Sequence, residues 1–384
     1  MSALLLALMT CLQPATGGNA TGPSMFLNRD EIGQIRAMVD RGEQPWAEVY
    51  QALVDECGGY LALRPDAVQG RFQYRPPPWL LPDTAPGEPS HEDKARHDSL
   101  VVRDLGLAYA LTGDERYADK GAEFVAAWVR SMEPIWPFDQ DNLGPMAVNT
   151  TLPAMFYGYD LMVGSRARTP ELEAATAQWV TSLVDTCKVH HFSANGDSTG
   201  WNLTFMITGS VITGRAEDRS FVYGKTDNTD TFQGLLYVLF GKDGKANPSF
   251  LQADRFQGDD VYSALRRIKT YVYVAEVALH QGTDLYNWSR DGRGLRKSLT
   301  AYAPYFTGKL KLPGVKQFPL GRDADAWVYE IAHARWPDRV FEDVTQYLDR
   351  PGYDVDILGP VGLTHGYRGG AEKPPSGAKP GGLR

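Results

Sequence analysis

The sequence predicts an all-α fold built from stacked helical hairpins, and three observations lead there. Apolar residues recur at helical spacing through the middle of the chain, the periodic stretches are joined by short turns with capping residues, and no alternation of strands with helices is visible. At roughly 50 residues per hairpin, long connecting loops included, 384 residues hold about six to seven hairpins. That number suits an (α/α) toroid or incomplete barrel better than a four-helix bundle.

The elements follow in order. Leu100 to Leu111 is periodic and apolar, Thr112-Gly113-Asp114 supplies a closing glycine and a new N-cap, and periodicity resumes through Tyr117, Phe124 and Trp128. Thr169-Pro170-Glu171 places a cap, a first-position proline and a first-turn acid ahead of a helix carrying Trp179 and Leu183. The longest run, Val261 to His280, ends at Gly282-Thr283-Asp284 and is followed by Leu295 to Tyr305. Both turns set a Gly and an Asp before an aromatic, an internal echo expected of stacked hairpins. Long loops rich in Pro, Gly or aromatics are expected near 64 to 94, 132 to 145, 188 to 200 and 306 to 323, where function usually sits.

Domain organisation is read as residues 1–24, a leader of export-signal or unstructured type, then one toroid over 25–366, then a disordered Gly, Pro and Lys-rich tail over 367–384. Ala3 to Met9 is apolar, but no Lys or Arg precedes Arg29, so the leader is atypical of a signal. Secreted or periplasmic location is the expectation. No stretch reaches the roughly 20 apolar residues of a membrane-spanning helix.

Composition narrows the partners. With 39 basic against 47 acidic residues the net charge is -8, which argues against nucleic acid but leaves room for a local basic groove holding an acidic sugar polymer. Cys11, Cys57 and Cys187 lie far apart with no CxxC spacing, so neither a disulfide framework nor a zinc site is suggested. No P-loop, GxGxxG or HExxH motif occurs, and no cofactor or metal is called for.

Several residues carry chemistry. Gly196 to Gly200 matches the GxSxG of serine hydrolases, a cheap match without an α/β sheet around Ser198. The carboxylate clusters Asp139, Asp141 and Asp254, Asp259, Asp260 would serve a glycoside hydrolase, although on loops such clusters are commonly solvated. Arg255 and Tyr262 stand seven positions apart at the entry to the long helix, so on a continuous helix they share a face. A guanidinium near a phenol favours phenolate and lets Tyr act as a base. Asn202 beside Trp201, and Asn149 ahead of Phe156, Tyr157 and Tyr159, are amide donors, with caps or turns as their plainer reading. His190 and His191 are adjacent, so one is free to act as acid, base or carboxylate ligand.

Four segments together resemble the alginate lyase superfamily of helical-toroid polysaccharide lyases. They are Asn149 with its aromatic run; Ser198 to Leu203; Gln252 to Tyr262 with Ala275 to Ala278 and Gly282 to Tyr286; and Trp327 to Ala332 with Arg350-Pro351 and Leu363 to Gly366. The resemblance implies β-elimination on a 1,4-linked polyuronate, polymannuronate first and glucuronan second, with an acidic polysaccharide as partner. It implies catalytic roles for Tyr262 and Arg255. The family's Asn-His pair is absent beside Trp201, so Asn202, Asn149 and, less directly, His191 are the expected carboxylate-neutralising groups. His190 joins the substrate-binding set, and Tyr157, Tyr159, Trp136 and Trp201 are expected to stack on sugar rings. A glycoside hydrolase, a serine hydrolase and a non-catalytic carbohydrate-binding toroid are the alternatives.

Overall fold

The computed structural model describes residues 22–73, 89–135, 143–189, 197–228, 230–239, 261–309, 324–345, 354–366 and 379–380. Fourteen α-helices lie among them: α1 Arg29–Asp40, α2 Trp46–Tyr60, α3 His91–Thr112, α4 Glu115–Ser131, α5 Leu143–Leu161, α6 Pro170–Val189, α7 Asp197–Thr213, α8 Ala216–Tyr223, α9 Phe232–Leu239, α10 Val261–His280, α11 Leu295–Phe306, α12 Val328–Arg335, α13 Arg339–Thr345 and α14 Val361–Thr364. The strand pairings among the described residues are two residues long, so the fold is the expected (α/α) toroid.

Local chemistry sets the helix ends. Asn28 accepts from the backbone N–H groups of Asp30 and Glu31 while Glu31 accepts from the N–H of Asn28, a reciprocal cap on α1. Ser90 and Asp93 do the same for α3. Asp114 caps α4 directly after Gly113 closes α3, and the Thr169 hydroxyl accepts from Leu172 N at 3.3 Å at the start of α6, both as the sequence predicts.

The hairpins α3/α4, α5/α6 and α7/α8 stand side by side. Their first members pack in sequence, α3 on α5, α5 on α7 and α7 on α10, forming an inner wall, while α4 packs on α6 outside it. These inner helices bury apolar residues along much of their length: Val101, Val102, Leu105, Val148, Leu152, Leu203, Phe205, Val274 and Val277 are all buried. Two inner contacts are backbone-close. A Cβ on Gly106 would overlap the Gly158 carbonyl oxygen and stand 2.7 Å from its Cα. A Cβ on Gly200 would overlap the Thr270 hydroxyl and stand 2.8 Å from the Thr270 Cβ, so α7 and α10 approach as they do only because residue 200 is glycine.

The first and last described segments of the toroid meet. Asp160 accepts from Ser24 N at 2.9 Å and Met25 N at 2.8 Å, fixing the N-terminal segment against α5. The indole of Trp46 donates to Gly362 O at 3.0 Å, and His365 Nε2 donates to Phe26 O at 2.9 Å. Arg103, buried on α3, donates to Val355 O and Asp356 O and pairs with Asp104, which anchors the C-terminal turn. A buried guanidinium is tolerable because each of these partners replaces hydration it has lost.

Candidate active site

Three consecutive inner helices carry the candidate residues. Asn149 lies on α5, Asn202 on α7, and both are buried. Asn149 Nδ2 donates to Asn202 Oδ1 at 2.6 Å, which ties the middle of α5 to α7. With its carbonyl oxygen so engaged, Asn202 turns its NH2 away from Asn149. Among the described residues Asn149 Oδ1 has no hydrogen-bond partner. The two amides that the sequence offers as separate donors therefore form one unit, with Asn149 orienting Asn202.

Tyr262 belongs to the first turn of α10, which packs on α7; its backbone is described and its side chain is not. Arg255, His190, His191, Trp136 and the acidic positions Asp139, Asp141, Asp254, Asp259 and Asp260 lie outside the described residues.

The aromatic expectations divide. Tyr157 is fully buried, edge-on to Phe26 with ring centroids 5.1 Å apart, and Tyr159 is buried beneath the Arg168 guanidinium, 4.3 Å from its ring centroid. Neither ring offers a face to a sugar, so the structure corrects both stacking assignments: these tyrosines are core. Burial pushes the hydroxyls of both above the ordinary phenol range, which also removes them as bases. Trp201 is different. It is half-buried at the junction of α7 and α10, 5.9 Å from the Tyr273 ring, with the Lys269 ammonium 5.3 Å from its own ring centroid. Behind it Tyr273 stacks at 4.8 Å on the buried Trp327.

The serine-hydrolase alternative loses its support. Asp197 to Gly200 form the first turn of α7, and the described residues contain no sheet that would hold Ser198 on a strand-to-helix elbow. Cys57 and Cys187 are buried free thiols whose pKa burial raises, so neither is a nucleophile.

A cluster not anticipated from the sequence lies where α1, α10 and α12 meet. His280 Nε2 bonds Glu31 Oε2 at 2.7 Å and His280 Nδ1 bonds Glu276 O at 2.8 Å. Both acceptors lack a proton to give, so both ring nitrogens must donate and His280 is an imidazolium. Burial opposes that charge, but the Glu31 carboxylate, by charge and hydrogen bond, and Glu276 outweigh it and raise the His280 pKa. Arg335 pairs with Glu276 and lies 3.7 Å from Glu31, and the Tyr286 hydroxyl donates to Glu276 Oε2. Burial would raise the carboxyl pKa of Glu31, yet His280, Arg335 and His365 hold it well below the usual range. Glu31, Glu276 and His280 have the spacing of a metal-ligand set, but both His280 nitrogens are committed as donors and Arg335 already sits against the carboxylates. The group is a charge-balanced clamp, two anions against two cations. Its sequence signal is Glu276, an acid inside the apolar run Ala275 to Ala278.

Comparison with known proteins gives a consistent result. The family model described as alginate lyase matches residues 75–311. An alginate lyase from Bacteroides ovatus superposes with a TM-score of 0.68 at 17% identity, covering 91% of this chain and 100% of that one. Alginate lyase A1-III from a Sphingomonas species superposes at 0.65 with 15% identity, covering 87% and 94%. A tyrosine-to-phenylalanine variant of A1-III, complexed with a tetrasaccharide, superposes at 0.65 with 16% identity, covering 88% and 95%. No curated protein sequence matches.

Proposed function

Since the chain belongs to the alginate lyase family, and is therefore a polysaccharide lyase acting on alginate, we propose that it cleaves mannuronate-rich 1,4-linked chains by syn β-elimination on the wall formed by α5, α7 and α10. The C5–H bond breaks, its electron pair forms the C4=C5 double bond, and the C4–O4 bond breaks. Proton removal from C5 is difficult because only the adjoining C6 carboxylate acidifies it. The site must therefore hold the additional negative charge that develops on that carboxylate.

In this reading Arg255 and the NH2 of Asn202 take that charge, Asn149 holds the Asn202 amide in place, and His191, which precedes α7 in the sequence, is a further donor. Fixed donors in a site shielded from water cost no reorganisation as the charge develops, and one is worth roughly 2.7 to 4 kcal/mol of barrier. Tyr262 removes the C5 proton and returns it to O4 of the leaving chain, which one residue can do when both atoms lie on one face of the ring, as in β-mannuronate. Arg255 close to the phenol would favour the phenolate form that this requires.

The observation that carries the reading is the hydrogen bond between Asn149 and Asn202, which prepares an amide donor on the helix that packs against the one bearing Tyr262. The tetrasaccharide bound by the tyrosine variant of A1-III supports a role for a tyrosine after substrate binding. We place the enzyme outside the cytoplasm, where a polymer too large to cross a membrane is met; no helix of the described residues is long and apolar enough to span one.

The test is release of 4,5-unsaturated uronate, read by ultraviolet absorbance, on polymannuronate, polyguluronate, glucuronan and hyaluronan. Fastest turnover is expected on polymannuronate. Fastest turnover on glucuronan, whose C5–H and O4 are also syn, would reassign the substrate, and reducing ends without absorbance would overturn elimination.

A further inference from the structure

We propose that Lys269, held against Trp201, forms a second carboxylate-binding position that grips a sugar beyond the one undergoing cleavage. The inference rests on the polyuronate lyase reading and extends it to a residue outside the elimination chemistry.

Lys269 lies on α10 seven positions after Tyr262. Seven residues are close to two helical turns, so the two positions share a face and stand about 10 Å apart along the axis. Every sugar of a polyuronate carries a carboxylate, so a chain lying along α10 presents one anion at the reacting centre and others at regular intervals from it. A cation displaced by about 10 Å meets the carboxylate of a sugar further along the chain and leaves the reacting one to the Asn202 side.

The surroundings of Lys269 suit that task. It is half-buried, and its Nζ stands 5.3 Å from the centroid of the half-buried Trp201 ring. A lysine in solution loses considerable rotamer freedom when it binds an anion, and contact with an aromatic face removes part of that loss beforehand. Trp201 is itself fixed from behind by Tyr273 and through it by Trp327. The Gly200 and Thr270 contact, adjacent in sequence to both residues, sets their separation at backbone level. Trp201 thus acts here by positioning the ammonium, a different task from stacking on a sugar. The need for local cations is real, because a protein of net charge -8 has no overall attraction for a polyanion.

The experiment measures KM and kcat by ultraviolet absorbance on polymannuronate and on size-fractionated mannuronate oligomers, for wild type, Lys269→Ala, Lys269→Arg and Trp201→Leu. Lys269→Ala is expected to raise KM on the polymer about tenfold while kcat falls less than twofold, and to flatten the dependence of KM on salt. Lys269→Arg should recover most of the loss, Trp201→Leu should raise KM about threefold, and the shortest cleavable oligomers, which do not reach the position, should show no difference. An unaltered KM for Lys269→Ala on the polymer, or an equal rise at every chain length, overturns the proposal. Should the wild type produce no absorbance on any uronan, the lyase reading fails by itself; calorimetric binding of polymannuronate to wild type and Lys269→Ala then decides the lysine, equal affinity ruling it out.

Discussion

Asn149 on α5 bonds Asn202 on α7 at 2.6 Å across 53 positions of sequence, so the two amides act as one unit. In the proposed elimination Asn202 presents its donors and Asn149 aims them. Replacing Asn202 by Ala is therefore expected to lower kcat by about 10² to 10³, the loss typical of a donor to developing negative charge. Asn149→Ala leaves that donor present but unaimed and should cost about tenfold. A larger loss for Asn149 than for Asn202 in the absorbance assay would reverse the assignment.

In the proposed elimination Tyr262 has the one role that a hydroxyl alone can fill. Tyr262→Phe is expected to reduce turnover by at least about 10², since both proton transfers pass through the missing oxygen. Affinity for polymannuronate, measured by calorimetry, should stay within about threefold because the ring and the rest of the wall remain. Unchanged turnover would rule the residue out.

The clamp at α1, α10 and α12 makes stability depend on pH with a definite sign. The folded pKa of His280 is raised above its ordinary value of 6.5, so its contribution is complete below 6.5 and is lost as pH rises through the folded value. The folded pKa of Glu31 is depressed, so its contribution is present above its ordinary 4.5 and is lost as pH falls through the folded value. The clamp is thus at full strength between these two limits. The groups facing His280 are Glu31, Glu276 and Arg335, with His365, Tyr286 and Asp160 nearby; His365 is pushed down to about 4 by burial and stays neutral across the range. Thermal unfolding of the wild type should show Tm falling above pH 6.5, and His280→Ala should start lower and fall less steeply. Equal slopes for the two proteins would refute the clamp's role. Arg335→Met leaves two carboxylates under-compensated and should cost about 3 to 5 kcal/mol.

Much of the architecture was readable in the chain because its signals are local. A capping residue and a closing glycine act within one turn, which is why α4 and α6 begin where Asp114 and Thr169 predict. The site was less readable for two reasons. Asn149 and Asn202, like Glu31 and His280, are partners only after folding, 53 and 249 positions apart, and no spacing rule reports such a pair. Aromatic periodicity, in turn, does not say which side of a helix faces a groove; in a toroid the inner helices are covered on nearly every side, so Tyr157 and Tyr159 became core while Trp201, at a helix junction, kept part of its surface.

That junction gives the last prediction. Gly200 permits α7 to approach α10 until a Cβ at position 200 would overlap the Thr270 hydroxyl and stand 2.8 Å from the Thr270 Cβ. Thr270 is buried, so its side chain has no solvent to swing into, and the helices must separate to accept even one methyl group. Gly200→Ala is therefore expected to cost about 1 to 3 kcal/mol despite alanine's better helix propensity. Because Trp201 and Asn202 follow directly, the same separation should displace both and lower kcat. Removing the hydroxyl and methyl in Thr270→Ala makes room, so the double variant should lose less stability than the two single losses added together. Additive losses in urea unfolding would mean that the two residues do not meet, and the packing that brings Asn202 to the helix of Tyr262 would have to be drawn differently.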